Sequence, residues 1–313
     1  MTSKESVHSF ALPLVVRAMD SLSMKHIQDA KKQIVSIVAL CVLTIFLSIV
    51  AIGQGSSSSL DMWKTAKIIF GIDEPDKLQS NIIWELRFPR ILMAIIGGIA
   101  LATAGALMQG CLGNPLVSPL TLGVSSGAVL GSSLAIVLGF SVVNIPELAI
   151  VANAFFFSLI VVFIIIKLGD MKSISPESYI LIGIAITFIS GAIVSILQYF
   201  ATDEQLSQLA HWSFGSLSRP NLVNVLWISV AVIGLLPTAL KWSWDLNALS
   251  LGGDDFAIST GVNPRQIRRN ILILTALMTS IVIAFTGLIG FVGLAAPHTV
   301  SYTHLTLPTK RIV

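Results

Sequence analysis

The sequence predicts an all-α fold, a polytopic transmembrane helical bundle, and three observations lead there. Hydrophobic residues make up 54% of the 313 residues and charged residues 11%, with a mean hydropathy of +0.87; soluble domains run at about 45–50% and about 25%. The apolar residues come in blocks of the roughly 20 residues that a helix needs to cross a bilayer. Between Arg90 and Glu147 no charged residue occurs, so two blocks and the turn joining them lie together in or near the membrane.

Seven blocks are expected to span, at approximately 34–53, 91–110, 120–139, 147–167, 179–200, 221–240 and 270–292. The first follows a polar, weakly amphipathic segment, residues 1–33, and lacks a small-residue cleavage site, so it reads as a retained helix and not a signal peptide. Cys41 lies in this block and Cys111 at the end of the second. They make neither a zinc site nor a disulfide and read as small packing residues. His8, His26 and His304 have no partners at metal-ligand spacing, and no metal or cofactor site is expected in the chain.

Loop charges set the orientation. With the N-terminus inside, the inner segments hold Lys4, Arg17, Lys25, Lys31, Lys32, Lys167, Lys172, Lys241, Arg265, Arg268 and Arg269. The outer segments before the last block hold Lys64, Lys67, Lys77, Arg87, Arg90 and Arg219, outnumbered there by acids. The N-terminus is therefore expected in the cytoplasm.

The second and third blocks are built from small residues. Lipid tails are as apolar as side chains, so helices in a bilayer associate by close backbone approach through Gly and Ala. Ala94, Gly98, Ala102 and Ala106 form one stripe, widened by Gly97 and Gly105; Gly123, Gly127 and Gly131 form another. Between them, Asn114-Pro115 and Ser118-Pro119 each place a capping side chain before a proline, a helix-start pattern. Irregular backbone at this depth is tolerable only inside protein or beside a watery cavity, which places the turn in the packed interior.

The fifth block contains Gly183, Ala185, Ser190, Gly191 and Ser195 and no charged residue. After it, "FATDEQLSQLAHWSFGSLSRPN" reads as an outer-surface helix and a turn, with Trp212 as an interfacial anchor beside His211. The segments beginning at Arg90 and Arg269 both run from an arginine through a small-residue helix to a proline-containing turn, in opposite orientations, as an inverted repeat would.

Several long motifs, in order, carry a family resemblance. The run "RFPRILMAIIGGIALATAGALMQGCLGNPLVSPLTLGVSSGA" resembles the FecCD-type permease subunits of ABC importers for iron-siderophore complexes, haem and vitamin B12. "WSFGSLSRPN" is similar to that family's outer-loop motif, "LNALSLGGDDFAISTGVNPRQIRRN" to its cytoplasmic loop, and "GLIGFVGLAAPH", with His298 in a packing or capping role, to the start of its next helix pair. The resemblance covers residues 34–298 and implies a type II ABC importer permease fold with about ten helices, of which about seven are present.

The resemblance further implies a homo- or heterodimeric pathway in the cytoplasmic (inner) membrane of a bacterium. Cytoplasmic ATP-binding subunits would energise it, and a periplasmic or lipid-anchored substrate-binding protein would feed it. It implies that Arg87 and Arg90 dock acidic residues of the binding protein, a task that suits arginine's planar fork. Interfacial anchoring is the plainer reading of the same pair. It implies that 250–262, "SLGGDDFAISTGV", is a short helical segment seated on the ATPase through Leu251, Gly252, Asp254, Asp255 and Phe256, closed by Gly261 as C-cap. Acids in a first turn also suit the helix dipole. The fifth helix would line the pathway through Gly183, Ser190, Gly191 and Ser195. Pro176, Glu177 and Ser178 depart from the hydroxyl-rich gate of some relatives, leaving only Ser178.

The residues themselves agree on energetics. No GxxxxGK[ST] phosphate cradle occurs, so the chain is not expected to be the ATPase itself; the resemblance implies a transport subunit and not an enzyme, with ATP used by a partner. Membrane lipid is a partner of the spans, and nothing points to nucleic acid. The alternative is an ion-coupled secondary transporter or channel. Such carriers place ionisable groups within the bilayer, and between their end residues the seven blocks hold no charged residue. Lastly, Val300 to Thr309 back-translates as GTC TCT TAT ACA CAT CTG ACG CTG CCG ACG, a transposase-type sequencing adapter read in frame. Residues 299–313 are therefore expected to be a non-native tail on an incomplete permease domain.

Overall fold

The computed structural model describes residues 31–54, 60–170 and 175–304 and is all-α over them. Lys4, Arg17, Lys25, Lys172, His8 and His26, together with residues 305–313, lie outside the described residues. The chain divides into two units, residues 1–74 and 75–313. The first holds α1 (Lys31–Gly53), apolar and long enough to cross a membrane. It also holds α2 (Met62–Ile69), whose N-cap Asp61 accepts from the Met62 amide at 2.7 Å.

In the second unit α3 (Lys77–Asn81) runs through a π-helical turn, Ile82–Arg87, into α4 (Phe88–Leu112). Pro89 supplies the reason for the widened turn. It has no amide to give and its ring crowds the carbonyl one turn back, and the wider i→i+5 register relieves this, with the Phe88 amide bonding the Ile83 carbonyl.

Beyond α4 come α5 (Val124–Leu138), α6 (Ala149–Asp170), α7 (Pro176–Phe200), α8 (Asp203–Ser213), α9 (Leu222–Lys241), α10 (Ser243–Ser259), α11 (Pro264–Thr286) and α12 (Val292–His304). Among the described residues six helices are long and apolar enough to cross a membrane, not the seven expected. The exception is the third block. Its helix, α5, has 15 residues, about 22 Å at 1.5 Å per residue, short of the ~30 Å hydrocarbon core.

The missing length has gone into residues 113–123, which bond to themselves instead of forming a helix. Asn114 Oδ1 accepts the Leu116 amide at 2.9 Å, and the Ser118 amide donates to Thr121 Oγ1 at 3.0 Å. Neither Asn114-Pro115 nor Ser118-Pro119 starts an α-helix. The helix starts after Gly123, which is left-handed at φ 88°. Val117, Ser118 and Leu122 are nonetheless buried, so the irregular turn does lie in packed interior.

The last expected span also differs. α11 stops at Thr286, Gly287 turns the chain, and α12 begins after Phe291, which is left-handed at φ 65°. Helix α12 runs to His304, across the boundary expected at residue 298. Helices α4 and α11 are antiparallel: Gly97 faces Val282 at one end, and Arg268 bonds the Cys111 carbonyl at the other. Each is followed by a break and then by a helix starting after a left-handed residue, but the break after α11 holds no proline, Pro297 lying inside α12.

One core cluster lies between α4, α9 and α11, around Met93, Leu101, Val225, Ile228, Ile271 and Met278. A second cluster joins α6 and α7 to α11 through Ile165, Tyr179 and Leu272. A polar pair ties these helices together: Ser158 donates to Ser280 Oγ at 2.6 Å between α6 and α11. Asn153 donates to the Gly131 and Phe140 carbonyls and accepts the Val142 amide, closing the turn after α5.

Candidate functional site

At one end of the bundle α10 and α11 form a corner with the end of α4. The expected short helix beginning near Ser250 is longer, running from Ser243 to Ser259, but it is broken at Gly253, whose φ 70° and ψ −161° belong to a region open almost only to glycine. The break makes residues 254–259 a separate short helix with Asp254 and Asp255 in its first turn, where its dipole favours acids. Gly261, at φ 84°, ends it. The Val262 amide bonds the Ala257 carbonyl at 2.9 Å and the Gly261 amide bonds that of Ile258 at 3.0 Å, the paired pattern of a Schellman cap.

Asp254 is partly exposed, with 46% of its side chain open, and is also tied inward. Its carboxylate takes both ends of the Arg268 guanidinium, at 2.8 Å and 2.5 Å, and Arg268 Nε donates to the Cys111 carbonyl at 3.3 Å. The bonds from Arg268 hold the Asp254 carboxyl below its ordinary value. Asp254 therefore acts as a strut joining the short helix to α11 and, through Arg268, to the last turn of α4. Asp255 and Leu251 are exposed and Phe256 is 44% exposed, so these three present the outward face. Gly252 lies under the Phe256 ring, and a Cβ there would collide with it. Ser250 Oγ reaches the Gly110 carbonyl at 3.3 Å, a further tie to α4.

Arg268 entered the sequence reading only as an inner base. Its signal was its row on α11, with Pro264, Ile271 and Thr275 all buried: a cation on a buried row needs a partner, and the acids fourteen residues earlier were within reach of one loop.

At the opposite end, Arg87 closes the π-helical turn and Arg90 stands exposed on the first turn of α4. Three residues apart on continuous helix, they share a side. α8 lies at this end as an amphipathic helix with a Thr202–Gln205 capping box, and Gln205 Nε2 reaches the Val137 carbonyl at 3.2 Å. Trp212 is not an interfacial anchor. It is 5% exposed and packs with Ala128, Ala154 and Ile283, because the Ser216 amide pins the loop to the Thr286 carbonyl at 2.7 Å. Arg219 donates to the His211 carbonyl at 3.1 Å, and its burial lowers its pKa.

The four residues expected to line a pathway on α7 divide between two faces. Gly183 and Ser190 are buried. A Cβ on Gly183 would lie 2.9 Å from the Leu122 Cα, so Gly183 seats the turn before α5 and does not line a channel. Gly191 and Ser195 are on the opposite, exposed face with Ile184, Phe188 and Tyr199. The packing glycines divide too. A Cβ at Gly127 would meet the Phe157 carbonyl oxygen at 2.6 Å, one at Gly131 would collide with that of Asn153, and one at Gly105 with that of Gly293. A Cβ on Gly123 would lie 3.2 Å from the Gly183 carbonyl oxygen, whereas one on Gly98 would meet nothing within 4 Å among the described residues.

Comparison with known proteins bears on this arrangement. The model of the FecCD transport family matches residues 40–310. The hemin transport system permease protein HmuU of Yersinia pestis is 36% identical over 260 residues, 82% of this chain and 76% of that protein. The vitamin B12 import system permease protein BtuC of Klebsiella pneumoniae is 34% identical over 216 residues, 69% of this chain and 64% of that protein. Among solved structures, an inward-facing transporter assigned to the metal-chelate type of ABC transporter superposes with a TM-score of 0.71 at 30% identity, covering 85% of this chain and 80% of that one.

Proposed function

The chain belongs to the FecCD transport family and is a permease subunit of an ABC importer; on that premise we propose that its cargo is an iron-siderophore or related metal-chelate complex, carried across the cytoplasmic membrane. Relatives of near-equal identity carry hemin and vitamin B12, so overall similarity alone does not choose among bulky chelates. The observation that supports the reading best is the corner at α10. A helix of one to two turns, set apart by Gly253, capped at Gly261 and strutted by Asp254 to Arg268, is a rigid lever. It joins an exposed surface to the ends of α4 and α11.

In this reading the α10 end is cytoplasmic, as is the N-terminus. Leu251, Asp255 and Phe256 seat on an ATP-binding subunit, while Asp254 and Arg268 pass the movement to α4. The α8 end is outer, with Arg87 and Arg90 toward a substrate-binding protein, and arginine suits acidic partners through bidentate pairing. Gly191, Ser195 and the apolar face around them meet a second permease subunit across the pathway. ATP is consumed in the partner.

The test is co-purification with the ATP-binding subunit and binding protein, then vesicle uptake of labelled ferric siderophore, haem and cobalamin. Uptake of the ferric siderophore above the other two is expected; selective uptake of haem or cobalamin overturns the cargo. Asp255→Ala with Phe256→Ala is expected to leave insertion intact and to lose substrate-stimulated hydrolysis. Unchanged stimulation removes those residues from the contact.

A further inference from the structure

Between α6 and α11 runs a groove of about 480 Å³, within the range of small-molecule sites. Leu159, Val162, Phe163 and Ile166 line it from α6, and Ile273, Ala276 and Leu277 from α11. The two helices are antiparallel here, and each wall is a row at helical spacing. Both rows end, at the α10 end of the bundle, in an exposed cation, Lys167 on α6 and Arg269 on α11. Phe163 holds the Lys167 ammonium 5.5 Å from its ring, which keeps that charge over the groove. Arg269 also borders a second hollow, of about 410 Å³, lined by Asn263, Arg265 and Gln266.

An apolar trench long enough for hydrocarbon, a pair of cations at its mouth and a polar hollow just beyond follow the order of parts in a phospholipid: acyl chain, phosphate, headgroup. A cation pair in a membrane-facing groove is costly to leave without anions, and basic pockets between spanning helices are where anionic headgroups bind. Neither cation serves the strut, which uses Arg268 on the adjacent, buried side of α11. We propose that the α6–α11 groove is a binding site for one anionic phospholipid, its phosphate held between Lys167 and Arg269.

The experiment uses the whole chain, purified in a neutral detergent without ATPase, binding protein or cargo, so its outcome is independent of the transport reading. Native mass spectrometry follows titration with phosphatidylglycerol, with phosphatidylcholine and with inorganic phosphate. One saturable phosphatidylglycerol is expected, weakened by salt, with phosphatidylcholine binding weaker and inorganic phosphate not competing. Lys167→Gln with Arg269→Gln is expected to weaken it about thirtyfold, from the typical worth of two surface cations near an anionic lipid. Lys167→Arg with Arg269→Lys should restore it. Ile273→Trp, which fills the groove and keeps both charges, should weaken it as well. Equal affinity for the two lipids overturns the proposal, as does wild-type affinity in the doubly neutral variant or displacement by inorganic phosphate. If a variant does not fold, lipid discrimination and salt dependence in the wild-type chain decide alone.

Discussion

Helices α7 and α11 are near equals in length, 25 and 23 residues, and opposites in surroundings. Of the spanning stretch of α11, 67% is buried within the chain, against 22% for α7. The buried helix is the less apolar of the two. It carries Arg268, Thr275, Thr279, Ser280 and Thr286 inside, while α7 turns Ile184, Phe188, Ile189 and Ile196 outward. In water the order would be reversed. In a bilayer, hydrophobicity does not separate the core from the periphery, because lipid accepts a leucine as readily as a neighbouring helix does. Close approach and satisfied polar groups separate them instead.

The contrast can be broken first at two glycines of α4. Gly105→Leu drives a side chain into the backbone of α12 at Gly293, which has no flexible end to give way. The folded chain is expected to be lost or its melting temperature in detergent to fall by more than about 10 °C, a cost above the usual 1–3 kcal/mol of overpacking. Gly98→Leu should stay within about 0.5 kcal/mol of wild type. Similar melting of the two variants would show that small residues on α4 are equivalent after all.

A smaller effect is expected from serines on the two compared helices. Ser280→Leu overpacks a position that is 1% exposed and removes the bond between α6 and α11 at Ser158, which keeps its bond to the Phe155 carbonyl, for about 1–3 kcal/mol. Ser195→Leu, on the open face of α7, should change thermal stability by less than about 0.5 kcal/mol. Loss of transport without loss of stability in Ser195→Leu would fit a face that meets a partner.

The strut at the foot of α11 should show in pH. The Asp254 carboxyl is held below its ordinary value by bonds from Arg268. Its contribution is therefore complete above the unfolded value of about 3.9 and disappears as pH falls through the lower folded value. Asp254→Asn should lose that contribution at neutral pH, and should lack the component of the wild-type decline below about pH 4 that comes from protonating Asp254. Substrate-stimulated ATP hydrolysis should weaken in this variant while co-purification with the ATPase persists. Parallel pH curves for the two proteins would sink the strut.

The smallest effect on the fold is expected at the other end. Arg90→Glu changes an exposed side chain and should leave melting unchanged, yet lower uptake sharply by facing like charge to an acidic partner. Normal uptake at normal expression would return Arg90 to simple anchoring.

Much of the coupling corner was legible as sequence, because its devices are local. A glycine pair before two acids, and a glycine closing seven residues later, specify the break, the first turn and the cap within one short segment. The strut was not, since Asp254 and Arg268 are 14 residues apart and meet only when α10 folds back on α11. Trp212 misled for a related reason: an indole beside a loop has the same local pattern at a lipid boundary or in a core, and only the Ser216–Thr286 bond across the chain decides between them.

By itself the sequence determined that the chain is helical and membrane-spanning, where five of its crossing helices fall, and that the segment after α4 is buried yet irregular. These follow from hydropathy over about twenty residues and from proline and glycine chemistry, which neighbours in the chain enforce. Tertiary structure decided the rest. It shortened α5 to 15 residues, split the α7 residues between a packed and an open face, left open space beside Gly98 and paired Asp254 with Arg268. Each depends on which helix stands opposite, and in lipid that choice rests on backbone approach and polar pairing across many residues, not on the apolar pattern that a single helix displays.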